Sequence, residues 1–190
     1  MCKLFLDILK NPTKTIKKEK NRKNEKEIAS MLIVEAILLA ISFVPLVRTS
    51  LTSYTEISAF VITLAVILIV GILIESYILN LVFKVFSDKG KFFLSLKSIV
   101  LALYPISVGT LISVYLINFL TSLYLISAII ETILVAFGLS LFFRSLKEFY
   151  NESYIVIYII TILISMAILA GMYTIIFTRI SSIPSTPFLF

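Results

Sequence analysis

At 190 residues the chain would suit one modest water-soluble domain, but 59% of its residues are hydrophobic and 15% are charged, against roughly 25% charged in soluble proteins. A mean hydropathy of +1.07 leaves more apolar surface than water tolerates, so the chain must meet lipid. The net charge of +6 sits mostly at the start and in short loops between apolar runs, which points to anionic lipid headgroups and away from nucleic acid.

Residues 1–10 place Phe5, Ile8 and Leu9 at helical spacing among Lys3, Asp7 and Lys10. The stretch is too short to span a bilayer and predicts a helix lying in the interface. Asn11 followed by Pro12 predicts an N-cap with proline at the first helical position. Thr13 to Lys26 is dense in Lys and Arg, with almost no apolar face, and is expected to be a solvated arm grazing the headgroups. Cys2 is the lone cysteine, so no intrachain disulfide is expected. No apolar export region precedes it, so a cleaved signal peptide is not expected.

The first apolar run, 28–47, has the length to cross a hydrocarbon core of about 30 Å at about 1.5 Å per residue. The second, 57–83, is longer than needed and should tilt. Ser87-Asp88-Lys89-Gly90-Lys91 reads as a loop. Phe92, Phe93 and Lys97 then predict a second short interfacial helix, ahead of a third span at 98–120. Tyr104-Pro105 lies in the first third of that span, where proline removes a backbone bond and predicts a kink or break. The fourth and fifth spans are expected at 123–143 and 154–177, with an irregular tail at 181–190.

The expected fold class is therefore all-α: a polytopic integral membrane protein, a five-transmembrane-helix bundle with an N-terminal amphipathic interfacial helix. Residues 1–27 form a basic N-terminal segment and residues 28–180 the membrane domain. Fifteen Lys and Arg fall on one side of these spans and only Arg48 and Arg179 on the other. Positive charge marks the cytoplasmic side, so the expectation is a multi-pass cell-membrane protein with its N-terminus cytoplasmic and its C-terminus outside.

Three carboxylates fall inside predicted spans: Glu35, Glu75 and Glu131. Each costs about 2.5–3.5 kcal/mol at mid-bilayer, which about six good apolar residues offset. Gly71 is one turn from Glu75, Ser127 and Gly138 share a stripe with Glu131, and Ser42 shares one with Glu35. Small and polar neighbours favour close helix contact, so the three are expected to face the bundle interior. They form the candidate intramembrane polar site, either as a cation or proton pathway or as plain interhelical hydrogen bonds. Gly109-xxx-Ser113 is a small-xxx-small pair that predicts packing. Tyr54, Tyr124, Tyr150 and Tyr154 suit an aromatic belt at the interfaces.

The chain has no histidine, and P-loop, GxSxG, HExxH and CxxC motifs are missing too. No catalytic, cofactor or metal site is expected. The candidate membrane-interface contacts are Phe5, Ile8, Lys10, Phe92, Phe93 and Lys97.

FLDILKNPTK near the start, and KGKFFLSLKSIVLALYPISVG after the second span, resemble the Yip1 domain family. The first matches the family's amphipathic opening that ends in Asn-Pro. The second matches its basic, aromatic turn leading into a Pro-containing helix. Five spans with the N-terminus inside match too. The resemblance implies a five-helix membrane protein. Eukaryotic members act in vesicle traffic and contact small GTPases, but the long cytosolic N-terminal region and the Asp-Leu-Tyr-Gly-Pro motif of those members are missing. The chain is similar to the short prokaryotic members.

Two functions are then in competition. One is a non-enzymatic membrane organiser or adaptor at the cytoplasmic leaflet, engaging anionic lipid and either membrane-protein partners or copies of itself. The alternative is a small transporter or channel built on the three glutamates and the Pro105 break.

Overall fold

A computed structural model of the protein describes residues 7–8, 10–22, 24–47, 53–88 and 90–162. Phe5, Arg48, Lys89, Arg179, the outer part of the fifth span (163–177) and the 181–190 tail lie outside the described residues. The contacts divide the chain into two compact units, residues 1–152 and 153–190.

In the first unit every described element is helical. Helix α1 is Pro12–Lys20, α2 Glu25–Ser42 and α3 the single turn Val44–Val47; α4 is Tyr54–Ser87, α5 Phe92–Phe119 and α6 Tyr124–Tyr150. Four segments are long and apolar enough to cross a membrane: Glu25–Val47, Tyr54–Phe86, Phe92–Phe119 and Tyr124–Tyr150. In the second unit residues 154–162 are helical, beginning where the Ser153 hydroxyl accepts the Val156 N–H at 3.4 Å. These residues open the expected fifth span.

Local chemistry sets the ends. The Asn11 side chain accepts the Lys14 N–H at 3.3 Å and Pro12 opens α1, as the sequence predicts. Ser53 and Glu56 form a reciprocal capping box at the start of α4. Asp88 and Asn151 take left-handed conformations, with φ of 54° and 53°, and stop α4 and α6.

Two boundaries differ from the sequence expectation. The expected interfacial helix at 92–97 and the span from 98 are one continuous helix, α5, and Tyr104-Pro105 does not break it. Proline costs a helix one donor and a clash with the preceding turn, yet packing on both sides holds α5 through this point. Pro105 is buried, and the Ser107 hydroxyl donates to the Tyr104 carbonyl at 2.9 Å one turn back. Second, α6 runs to Tyr150 rather than ending at 143. Its last turns bury Leu146, Phe149 and Tyr150 while carrying Arg144, Lys147 and Glu148.

Helix α5 is central and packs on α6, α2 and α4. The α2–α4 contact is made of small residues, with Ala36, Ala40 and Ala65 buried together beside Val61, Leu64, Leu68 and Ile69. Alanines at one-turn spacing let the two backbones approach, which is how helices gain contact where lipid offers no hydrophobic driving force. The α5–α6 hairpin is antiparallel. Gly109 meets Leu134, and Gly138 meets Ile106 and the Ala102 carbonyl. Ser113 and Ser127 each donate a hydroxyl to the other's backbone carbonyl, at 3.0 and 2.9 Å. The Gly109-xxx-Ser113 pair thus serves packing within the chain. Outward faces stay apolar: Ile62, Val66, Ile67 and Ile74 on α4, and Ile126, Ile129 and Ile133 on α6, are all exposed.

Candidate functional site

The most developed polar structure among the described residues lies where α1 folds back on the bundle. The solvated arm expected at 13–26 is instead docked. Thr15, Ile16 and Glu19 are buried, three positions on one side of α1, while Lys14, Lys17 and Lys18 stay exposed. One apolar side chain and one carboxylate suffice for docking because the partners on α5 and α6 are specific. Lys20 donates to the Glu148 carbonyl at 2.5 Å, and Arg144 donates to the Thr13 hydroxyl at 3.0 Å. The Lys17–Glu148 pair, at 3.9 Å on the surface, adds little.

Lys97 is the centre of this cap. It is fully buried, and its ammonium donates to the Glu19 carbonyl at 2.6 Å and the Arg22 carbonyl at 3.0 Å. It also stands 3.5 Å from Glu19 Oε2 and 5.2 Å from the centre of the Phe93 ring. An ammonium has three protons to place, and here each has an acceptor. Two of those acceptors are carbonyls at the C-terminal end of α1, where the helix dipole favours a cation. Glu19 is completed by Asn24 Nδ2 at 2.7 Å on Oε2 and by Arg22 Nη1 at 3.1 Å on Oε1. Arg22 also pairs with Glu27 at 3.1 Å. The hydrogen bond and the charge of Glu19, with the charge of Glu27 added, raise the Arg22 pKa above its ordinary value.

A second polar contact lies at the same end. Tyr150 is buried, stacked on Phe83 with ring centres 3.9 Å apart. Its hydroxyl lies 2.5 Å from Ser95 Oγ and donates to the Lys91 carbonyl at 3.1 Å. Tyr150 therefore ties α4, α5 and α6 together and does not belong to an interfacial belt. Tyr54 and Tyr124 are exposed as a belt requires.

Of the expected membrane-interface contacts, Ile8 and Lys97 are buried inside the protein. Phe92 and Lys10 are exposed and Phe93 is half-buried. Lys97 departs from the expectation because α1 covers it.

The three intramembrane glutamates occupy three environments. Glu35 is fully buried, and neither of its carboxyl oxygens has a hydrogen-bond partner among the described residues. Glu75 stands on the exposed face of α4, and a Cβ at Gly71 one turn away would meet nothing within 4 Å. Glu131 is half-buried beside an open groove lined by Ala128, Thr132 and Leu139. No hydrogen bond or ion pair joins any two of them among the described residues.

Sequence reasoning missed Glu19, Arg22, Asn24, Ser95 and the buried role of Tyr150. One signal was present. A lysine five residues inside an apolar run must find an anion or a set of carbonyls, and the only stretch rich in both was the charged segment before the first span.

Comparison with known proteins places these features in a family. The model of the Yip1 domain matches residues 6–175, which takes in α1, the four apolar helices and helical residues 154–162. Neither the curated proteins nor the solved structures include a match. The chain belongs to the Yip1 domain family.

Proposed function

We propose that this protein is a non-enzymatic, five-span protein of the cell membrane that organises the cytoplasmic leaflet, or serves as an adaptor there, by holding a basic cap against anionic lipid. In this reading the N-terminus is cytoplasmic, residues 1–10 open an amphipathic interfacial segment, and the C-terminus is outside. The observation that carries it is the split in the 10–26 segment. Ile16 and Glu19 anchor the segment to the bundle, while Lys10, Lys14, Lys17, Lys18, Arg22 and Lys26 remain exposed. A flexible arm would present its charges diffusely; a docked one presents them at a fixed place beside the helix ends. Each Lys or Arg near an anionic surface contributes about 1 kcal/mol of attraction. The Yip1 domain assignment is consistent with a multi-pass membrane protein of this kind.

Transport has no observation in its favour, since the carboxylates that would carry it are dispersed over three environments.

The test is lipid selectivity of the full chain in nanodiscs of phosphatidylcholine doped with spin-labelled anionic or zwitterionic lipid. The anionic label should be enriched around the protein, and a Lys14→Glu, Lys17→Glu, Lys18→Glu variant should lose most of that enrichment. Equal retention of both labels by the native protein would rule the reading out. A reporter fused after Phe190 that proves cytoplasmic would reverse the orientation.

A further inference from the structure

The same segment contains a more specific feature than a charged surface. Alongside α1 runs a cleft of about 520 Å³, walled by Lys10, Lys14, Lys18 and Arg22 with Asp7, Glu19 and Glu27. The charges in this wall are not equivalent. Glu19 is taken up by Lys97, Arg22 and Asn24, and Glu27 by Arg22 and Asn24. Among the described residues, Lys10, Lys14 and Lys18 form no ion pair. Three uncommitted ammonium groups therefore face the cleft against the single carboxylate of Asp7, an excess of two positive charges. Lys14 and Lys18 stand one turn apart on α1, about 6 Å along its axis. Lys10 follows on the preceding turn, held in place where the Asn11 N–H bonds the Asp7 carbonyl at 2.9 Å and the Thr15 hydroxyl bonds it at 3.0 Å.

We propose that this cleft is a binding site for a lipid headgroup bearing two phosphodiester groups. Two singly charged phosphates neutralise the excess. Lys10 and Lys18 each face one phosphate, and Lys14 between them is shared by both. Lysine serves here as a point charge able to follow a mobile headgroup. Pairing of Glu19 with Lys97 and Arg22 is what leaves the site cationic: without those partners, its carboxylate would cancel half the excess. This assignment rests on the proposed function, since the cleft meets lipid headgroups only if the α1 end is the membrane-facing cytoplasmic cap.

The experiment uses full-length protein in phosphatidylcholine nanodiscs, with spin-labelled cardiolipin as the two-phosphate probe and spin-labelled phosphatidylglycerol at twice its molar amount as the one-phosphate probe. Cardiolipin should be retained more strongly at this matched charge. Lys14→Gln and Lys18→Gln should each weaken its retention by about fivefold, and together remove the preference. Lys26→Gln, exposed but outside the cleft, should leave it intact. Equal retention of the two anionic probes, or a double variant that holds cardiolipin like the native protein, overturns this assignment and leaves the proposed function standing. Retention of both anionic probes no better than phosphatidylcholine overturns both. Displacement of the cardiolipin label by equimolar soluble pyrophosphate would mean a site for free phosphates and would also overturn the lipid assignment.

Discussion

Lys97→Met is expected to destabilise the protein by about 3 kcal/mol, because it removes the buried cation from the Glu19 carboxylate and leaves it only the more exposed Arg22. It also strips two buried carbonyls, those of Glu19 and Arg22, of their donor. Methionine matches the stem of lysine in length, so packing is nearly conserved and the loss is electrostatic. Thermal unfolding in detergent gives the size of the effect. Hydrogen exchange over residues 12–20 should show α1 released first, since Lys97, together with the Lys20–Glu148 bond, fastens its C-terminal end. Adding Glu19→Gln should recover part of the loss by removing a buried charge that Arg22 alone compensates. It should not recover all of it, because the two carbonyls stay unpaired. The coupling between the two sites is expected at about 0.5–3 kcal/mol. A Lys97→Met protein that melts with the native one would show that α1 is held by something other than this pair.

Gly138→Ala is the second large effect. A Cβ there would sit 2.6 Å from Ile106 Cγ1 and 2.7 Å from the Ala102 carbonyl oxygen. The side chain could turn aside, but the backbone oxygen cannot move unless α5 and α6 separate. The expected cost is about 1–3 kcal/mol, as for other overpacked interiors. Gly109→Ala should cost less, since its nearest obstacle is the Leu134 side chain at 2.9 Å. Gly71→Ala meets nothing within 4 Å and should be neutral or stabilising by up to about 1 kcal/mol. Unfolding of the three variants under identical conditions tests this order. If Gly71→Ala proved the most damaging of the three, the packing assigned to the α5–α6 hairpin would be wrong.

These two cases mark where the sequence was legible and where it was not. Long apolar runs announced the four membrane-length helices, since nothing else accounts for so much hydrocarbon in so few residues. Asn11-Pro12 announced the start of α1 for a local reason, a side-chain cap and a preset φ. The small-xxx-small spacing at Gly109 and Ser113 announced a close contact but not its partner. Three things stayed hidden. Periodicity could not separate an interfacial turn at 92–97 from the first turns of α5, because a basic, aromatic pattern fits both. Hydropathy could not foresee that α1 docks, because Ile16 is one apolar residue in a charged stretch and the rest of its anchoring is polar, made at Thr13, Glu19 and Lys20. Nor could small neighbours tell which way a glutamate points. Gly71 beside Glu75 looked like a contact face, yet both stand exposed, while Glu35, with only Ser42 on its stripe, is the one that is buried.

The crossed serine bonds between α5 and α6 bear on how this molecule can change shape. Each hydroxyl depends on the other strand of the hairpin, so sliding either helix by a single turn forfeits both links together. Ser95 and Tyr150 fasten the opposite end in the same way. Pinned at top and bottom, the pair can ratchet or shear along its own length only by breaking the bonds at both ends. Any rearrangement that keeps these bonds carries the two helices together as one unit.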